Sequence, residues 1–111
     1  MSAAASLIGQ AAWAHAFLDR SSPAVGSDVS VSPPALSLTY TEPVEPLFCT
    51  VQVTDAQGSR MDAGKPAAQD GGRVLSVPLK PLPPGTYKVE WHVTSVDTHK
   101  TEGHFTFNVR P

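Results

Sequence analysis

Residues 86–95, TYKVEWHVTS, alternate without a break, setting Tyr87, Val89, Trp91 and Val93 against Lys88, Glu90, His92 and Thr94. Successive side chains of an extended strand point to opposite faces, so this code describes a strand buried on one face and wet on the other. A helix repeats every 3.6 residues and cannot gather four apolar residues spaced by two onto one face. Shortly downstream, HFTFNV (104–109) repeats the code with Phe105, Phe107 and Val109 inward. Between the two lies a polar turn containing Asp97, His99 and Glu102, with His104 opening the second strand.

The same period runs through the rest of the chain. ALSLTY (35–40) places Leu36, Leu38 and Tyr40 on one face, and LFCTVQVTD (47–55) does so with Cys49, Val51 and Val53. RVLSVPL (73–79) reads as a strand whose proline suggests a sheet edge. HAFLDRSSP (15–23) supplies a short strand at the start. Between them fall turn clusters at 21–28, 32–34, 42–46, 55–59, 67–72 and 81–85, where many of the 11 prolines and 8 glycines set turn dihedrals and stop ladder pairing. About seven short strands at such spacings indicate an all-β antiparallel sandwich or barrel.

With 111 residues the chain suits one domain and can bury a core without staples. Its net charge of −2 lacks the basic footprint of nucleic-acid binding, and no polybasic run marks a membrane surface. The single cysteine, Cys49, excludes an internal disulfide and thiolate-rich metal sites, and its place in the alternation turns it into the core. No phosphate-binding glycine loop, nucleophile elbow or HExxH pair is present.

Residues 1–14, MSAAASLIGQAAWA, are apolar and small, and end in Ala12-Trp13-Ala14, a pattern suited to signal peptidase. They resemble the tail of a secretory signal without its positive start; the alternative is an alanine-rich helical extension. The segment is too short for a membrane span, so no membrane insertion is expected. Cleavage after Ala14 makes His15 the amino terminus of a domain spanning 15–111.

Of the four histidines, His92 and His104 fall on outward strand positions and read as surface residues. His99 differs, because Asp97 lies two residues before it, and positions two apart in locally extended chain project to one side. An amino-terminal His15 offers its α-amine and ring Nδ1 as a chelate. The His99 imidazole adds a third nitrogen and Asp97 an oxygen. Such nitrogen and oxygen donors suit one Cu(II) ion; tetrahedral zinc is the competitor, although zinc has no need of the amine.

These residues resemble the copper resistance protein C (CopC) family of periplasmic copper-binding proteins. The likeness is carried by HAFLDRSSPAVGSDV (15–29), ALSLTYTEPVEPLF (35–48) and PLPPGTYKVEWHVTSVDTHKTEGHFTFNV (81–109). It implies an immunoglobulin-like Greek-key β-sandwich, export to the periplasm, and a Cu(II) site falling on His15, Asp97 and His99. Glu42 matches an acidic position that in some members lies near the copper, outside this principal set. An inner-membrane copper importer of the CopD kind is the implied partner. Some members carry a second, Cu(I) site in a methionine-rich loop, since thioethers select Cu(I). The corresponding stretch here, 55–72, has only Met61 and no histidine, so a Cu(II)-only type without a methionine site is expected. A second departure is the leader: with residues 1–14 attached, His15 has an amide nitrogen and the chelate cannot close.

Three functions follow from this reading. The first is a non-enzymatic Cu(II) carrier or buffer for copper homeostasis and resistance. The second is an immunoglobulin-like interaction module whose Asp97–His99 turn is merely polar. The third is a copper oxidase built on a histidine brace, which requires a coordination position open to O2.

Overall fold

The computed structural model of the protein describes residues 17–111. Eight strands lie among them: β1 (Leu18–Ser22), β2 (Asp28–Val29), β3 (Ala35–Tyr40), β4 (Thr50–Thr54), β5 (Ala67–Gln69), β6 (Val74–Pro78), β7 (Gly85–Thr94) and β8 (Lys100–Val109). They form two four-stranded sheets, in the orders β1-β3-β6-β5 and β2-β8-β7-β4. Strand β2 runs parallel to β8, and the other pairings are antiparallel. The chain crosses between sheets after β1, β2, β3, β4 and β6, which makes a Greek-key sandwich of the immunoglobulin-like kind. The expected boundaries 35–40, 86–95 and 104–109 coincide with, or fall within, β3, the β7 region and β8.

The alternation explains the core. Leu36, Leu38 and Tyr40 of β3 and Leu75 and Val77 of β6 face Val51 and Val53 of β4, Tyr87, Val89, Trp91 and Val93 of β7, and Phe105, Phe107 and Val109 of β8; all are buried. Cys49 is buried and free, as its place in the pattern requires. The ring of Trp91 meets Tyr40 edge-on, with centroids 5.4 Å apart. Directly across the hairpin from Trp91 is Gly103. A Cβ at Gly103 would come within 2.5 Å of Trp91 Cζ2 and 2.9 Å of Cε2, so the glycine is the space that lets the indole lie on the β8 backbone.

Three local expectations are corrected. Strand β6 is interior, between β3 and β5, despite its proline. Pro78 ends that strand, beyond the Val74–Ser76 stretch that pairs with β5, so its missing N–H breaks no rung there. The 47–55 strand begins later, at Thr50, because Pro46–Phe48 form a 3-10 turn that Pro46 starts without a donor of its own. Thr94, on the outward face of β7 by parity, is buried, and its Oγ1 donates to the Phe48 carbonyl at 3.2 Å. That bond ties the end of β7 to the loop before β4.

Strand β4 is an edge, and the following loop covers part of it. Met61 N–H donates to Val53 O at 2.7 Å, and Val53 N–H donates to Asp62 Oδ1 at 3.0 Å. Arg60 clamps both oxygens of Asp62, at 2.8 and 2.7 Å, and its guanidinium holds that carboxyl below the usual range. A paired, charged cover of this kind protects an edge from pairing with other chains.

Candidate metal centre

Strands β7 and β8 are joined by residues 95–99, and the turn closes on itself. Ser95 N–H donates to His99 O at 2.9 Å, and Thr98 N–H donates to Ser95 O at 2.8 Å. Thr98 takes φ +73°, a left-handed conformation uncommon for a β-branched residue. This geometry differs from the extended run that sequence spacing suggested. The reversal at Thr98, not strand periodicity, brings positions 97 and 99 to one side.

Ser95 organises the pair from beneath. It is 2% exposed, its Oγ donates to Asp97 Oδ1, and it accepts the His99 N–H at 3.2 Å. Above it, His99 Nδ1 lies 3.3 Å from Asp97 Oδ1, with both side chains about half exposed. The Ser95 hydrogen bond above all, with the His99 contacts adding to it against the opposing effect of burial, holds the Asp97 carboxyl below the usual carboxylate range. A group with a depressed folded pKa contributes stability above its unfolded pKa and loses it as pH falls through the folded value. Ser95→Ala is expected to move the Asp97 titration back up toward ordinary carboxylates, measured by carbon-detected NMR across acidic pH.

Two further segments are bound to this end of the sandwich. Val96 N–H donates to Pro43 O at 3.1 Å, Glu45 N–H donates to Thr94 O at 2.8 Å, and Val44 bridges Ser95. Glu42 thereby sits on a loop fastened to the turn. One residue earlier, Thr41 exchanges two bonds with Phe17: Thr41 N–H to Phe17 O at 2.9 Å, and Phe17 N–H to Thr41 Oγ1 at 3.0 Å. The start of the described chain is thus tied to the 41–43 segment, whose other end holds the turn. His15 lies outside the described residues.

The structure therefore brings Asp97 and His99 together as a pair. Among the described residues, no three His, Cys, Asp or Glu side chains converge to hold a metal, and Glu42 joins no such group. His92 and His104 are exposed on the sheet face, as expected. Ser95, Pro43 and Thr41 escaped sequence reasoning as organisers of the site. The 3.3 Å separation of the pair is that of a hydrogen-bonded ion pair, and its atom types, an imidazole nitrogen and a carboxylate oxygen, are ones that copper and zinc ions accept.

Residues 18–110 match the CopC domain. The chain belongs to the CopC family. Its relatives include Protein YobA of Escherichia coli strain K12, 38% identical over 107 residues, which cover 95% of this chain and 86% of that protein. Copper resistance protein C of Xanthomonas campestris pv. juglandis is 37% identical over 114 residues, covering 96% and 89%. The crystal structure of CopC from Methylosinus trichosporium OB3b superimposes with a TM-score of 0.82 at 32% identity, covering 87% of this chain and 95% of that one. For a CopC domain, the sandwich is the shared frame, and the β7–β8 turn with its fastened loop is where this chain brings Asp97 and His99 together.

Proposed function

We propose that this protein is a periplasmic Cu(II) carrier or buffer of copper homeostasis and resistance, with no catalytic step of its own. The observation that carries the reading is the Asp97–His99 pair, held together by a buried serine on a turn fastened to the 43–45 loop, which is tied through Thr41 to Phe17. Membership of a family that includes a copper resistance protein supports it.

His15 completes the proposed site. It stands two residues before Phe17, a reach of at most about 7 Å of extended chain, and Phe17 is tied to Thr41 beside Glu42. Once residues 1–14 are removed, its α-amine and imidazole join His99 and Asp97 around one Cu(II) ion. Amine and imidazole bind only when deprotonated, so affinity falls with pH. Glu42 is kept as an outlying acidic group whose part is electrostatic. A Cu(I) site has no support from the 55–72 loop, whose single thioether, Met61, packs partly buried against the core. The cargo passes to an inner-membrane copper importer of the CopD kind.

One observation favours the interaction module: Leu47, Phe48 and Val96 are exposed at 86, 69 and 60% around the same turn. Thermal melts with and without Cu(II) separate the two readings. A ligand bound only to the native state raises stability by about 2.7 kcal/mol at 100 times its Kd, equivalent to a melting-point rise of roughly 10 °C or more for a domain of about 100 residues. The carrier reading expects such a rise for the chain starting at His15, and an unmoved midpoint favours the module.

A further inference from the structure

Four side chains that the Asp97–His99 pair leaves unused lie together on the outer face of the β7–β8 hairpin. The register sets Glu90 opposite His104 and His92 opposite Glu102. All four alternate with buried Val89, Trp91, Val93 and Phe105, so they point away from the core. With Gly103 they line an open depression of about 420 Å³. His92 Nε2 already lies 3.4 Å from Glu102 Oε1, and those side chains are 60% and 76% exposed. Opposed residues in such a pair hold their Cβ atoms about 4.5–5.5 Å apart and diagonal ones about 7–8 Å, within reach of long side chains.

We propose that His92, His104 and Glu102 form a second site for a borderline divalent cation, Cu(II) or Zn(II). Two imidazoles and one carboxylate are donors these ions favour, whereas calcium and magnesium take oxygen ligands. His92 and Glu102 stand in an ion-pair contact at 3.4 Å, from which a slight closing would let both bind one ion. In the present structure only that pair is closed; His104 joins it by side-chain rotation, which an exposed imidazole makes in nanoseconds or less. The backbone beneath is fixed, since each donor sits on a ten-residue strand inside a continuous ladder. Glu90 stands opposite His104 in the register, where a carboxylate would orient a metal-bound imidazole. Lys88, 3.7 Å from Glu90 Oε1, occupies that carboxylate in the metal-free state. Because one donor must be drawn in, this site is weaker than the turn once an amino-terminal His15 completes it. It lies about 10 Å from it along the same hairpin, three strand residues away, and does not depend on His15 or on the function proposed above.

The test titrates the full chain with Zn(II) chloride, a diamagnetic probe, while following histidine ring shifts and the Gly103 amide by NMR, in the native sequence and in His99→Ala, Glu102→Gln and His92→Ala/His104→Ala. In His99→Ala, the His92 and His104 ring signals are expected to shift together, with the Gly103 amide, at one equivalent of zinc. Glu102→Gln weakens that event by about tenfold or more, and in the double variant the Gly103 amide no longer responds. Shifts of neither ring, of one ring alone, or of both with equal affinity in Glu102→Gln overturn the proposal. A response of His92 and His104 with His99 unmoved supports this site and leaves the copper reading of the turn to its own titration.

Discussion

In the chain that begins at His15, His99→Ala lowers Cu(II) affinity by more than about 100-fold. Altering the partners that merely orient metal ligands costs 10–100-fold, and on the proposed function a ligand itself is lost. The substitution also breaks the contact that presents Asp97, since Nδ1 of His99 stands 3.3 Å from its oxygen. The fold is spared, because the side chain is about half exposed and the bonds that hold the turn run through the His99 backbone and Ser95. Metal-free stability therefore stays within about 0.5 kcal/mol, as for ordinary surface substitutions. Competition against a chelator of known affinity measures the first quantity, and urea unfolding the second. A loss below tenfold contradicts the placement of His99 in the site.

The largest expected effect on stability lies at the cross-strand pair Trp91 and Gly103. Trp91→Ala removes a 6% exposed indole that packs on Tyr40 and on the β8 backbone. A loss of roughly 3–5 kcal/mol is expected from the cavity, out of a total of about 5–15 kcal/mol for a domain of this kind. Gly103→Ala acts from the other side. Its new methyl group meets the indole at 2.5 Å, and the forced displacement costs roughly 1–3 kcal/mol. The two costs are not additive: once the indole is gone, the methyl at position 103 fills space instead of clashing. The double variant is therefore more stable than the sum of the singles implies, by at least about 0.5 kcal/mol. Simple additivity in urea unfolding contradicts the packing described for this pair.

Strand alternation carried most of the fold, because a half-buried strand writes its burial directly into every second residue. It failed where burial came from something other than the sheet. Thr94 is covered by the loop before β4, and nothing in its own strand announces that loop. The proline of β6 misled because its effect depends on how far the neighbour β5 extends, a property of register and not of composition. Strand β2 has two residues and a parallel partner, too little for any pattern. At the candidate site, Asp97 and His99 were legible as chemistry, but the reason for their convergence was not. Extended spacing stood in for a left-handed turn at Thr98 and a buried Ser95, both of which depend on backbone closure. The ties from Phe17 to Thr41 and from Pro43 to Val96 link positions far apart in sequence, and short-range patterns cannot display them.

The central claim is that an amino-terminal His15 completes the copper site begun by Asp97 and His99. The most direct measurement is a Cu(II) competition titration of two chains in parallel, one beginning at His15 and one beginning at Met1. Much tighter binding by the first is expected, since only there is the nitrogen of His15 an amine. Equal affinity in the two chains contradicts it.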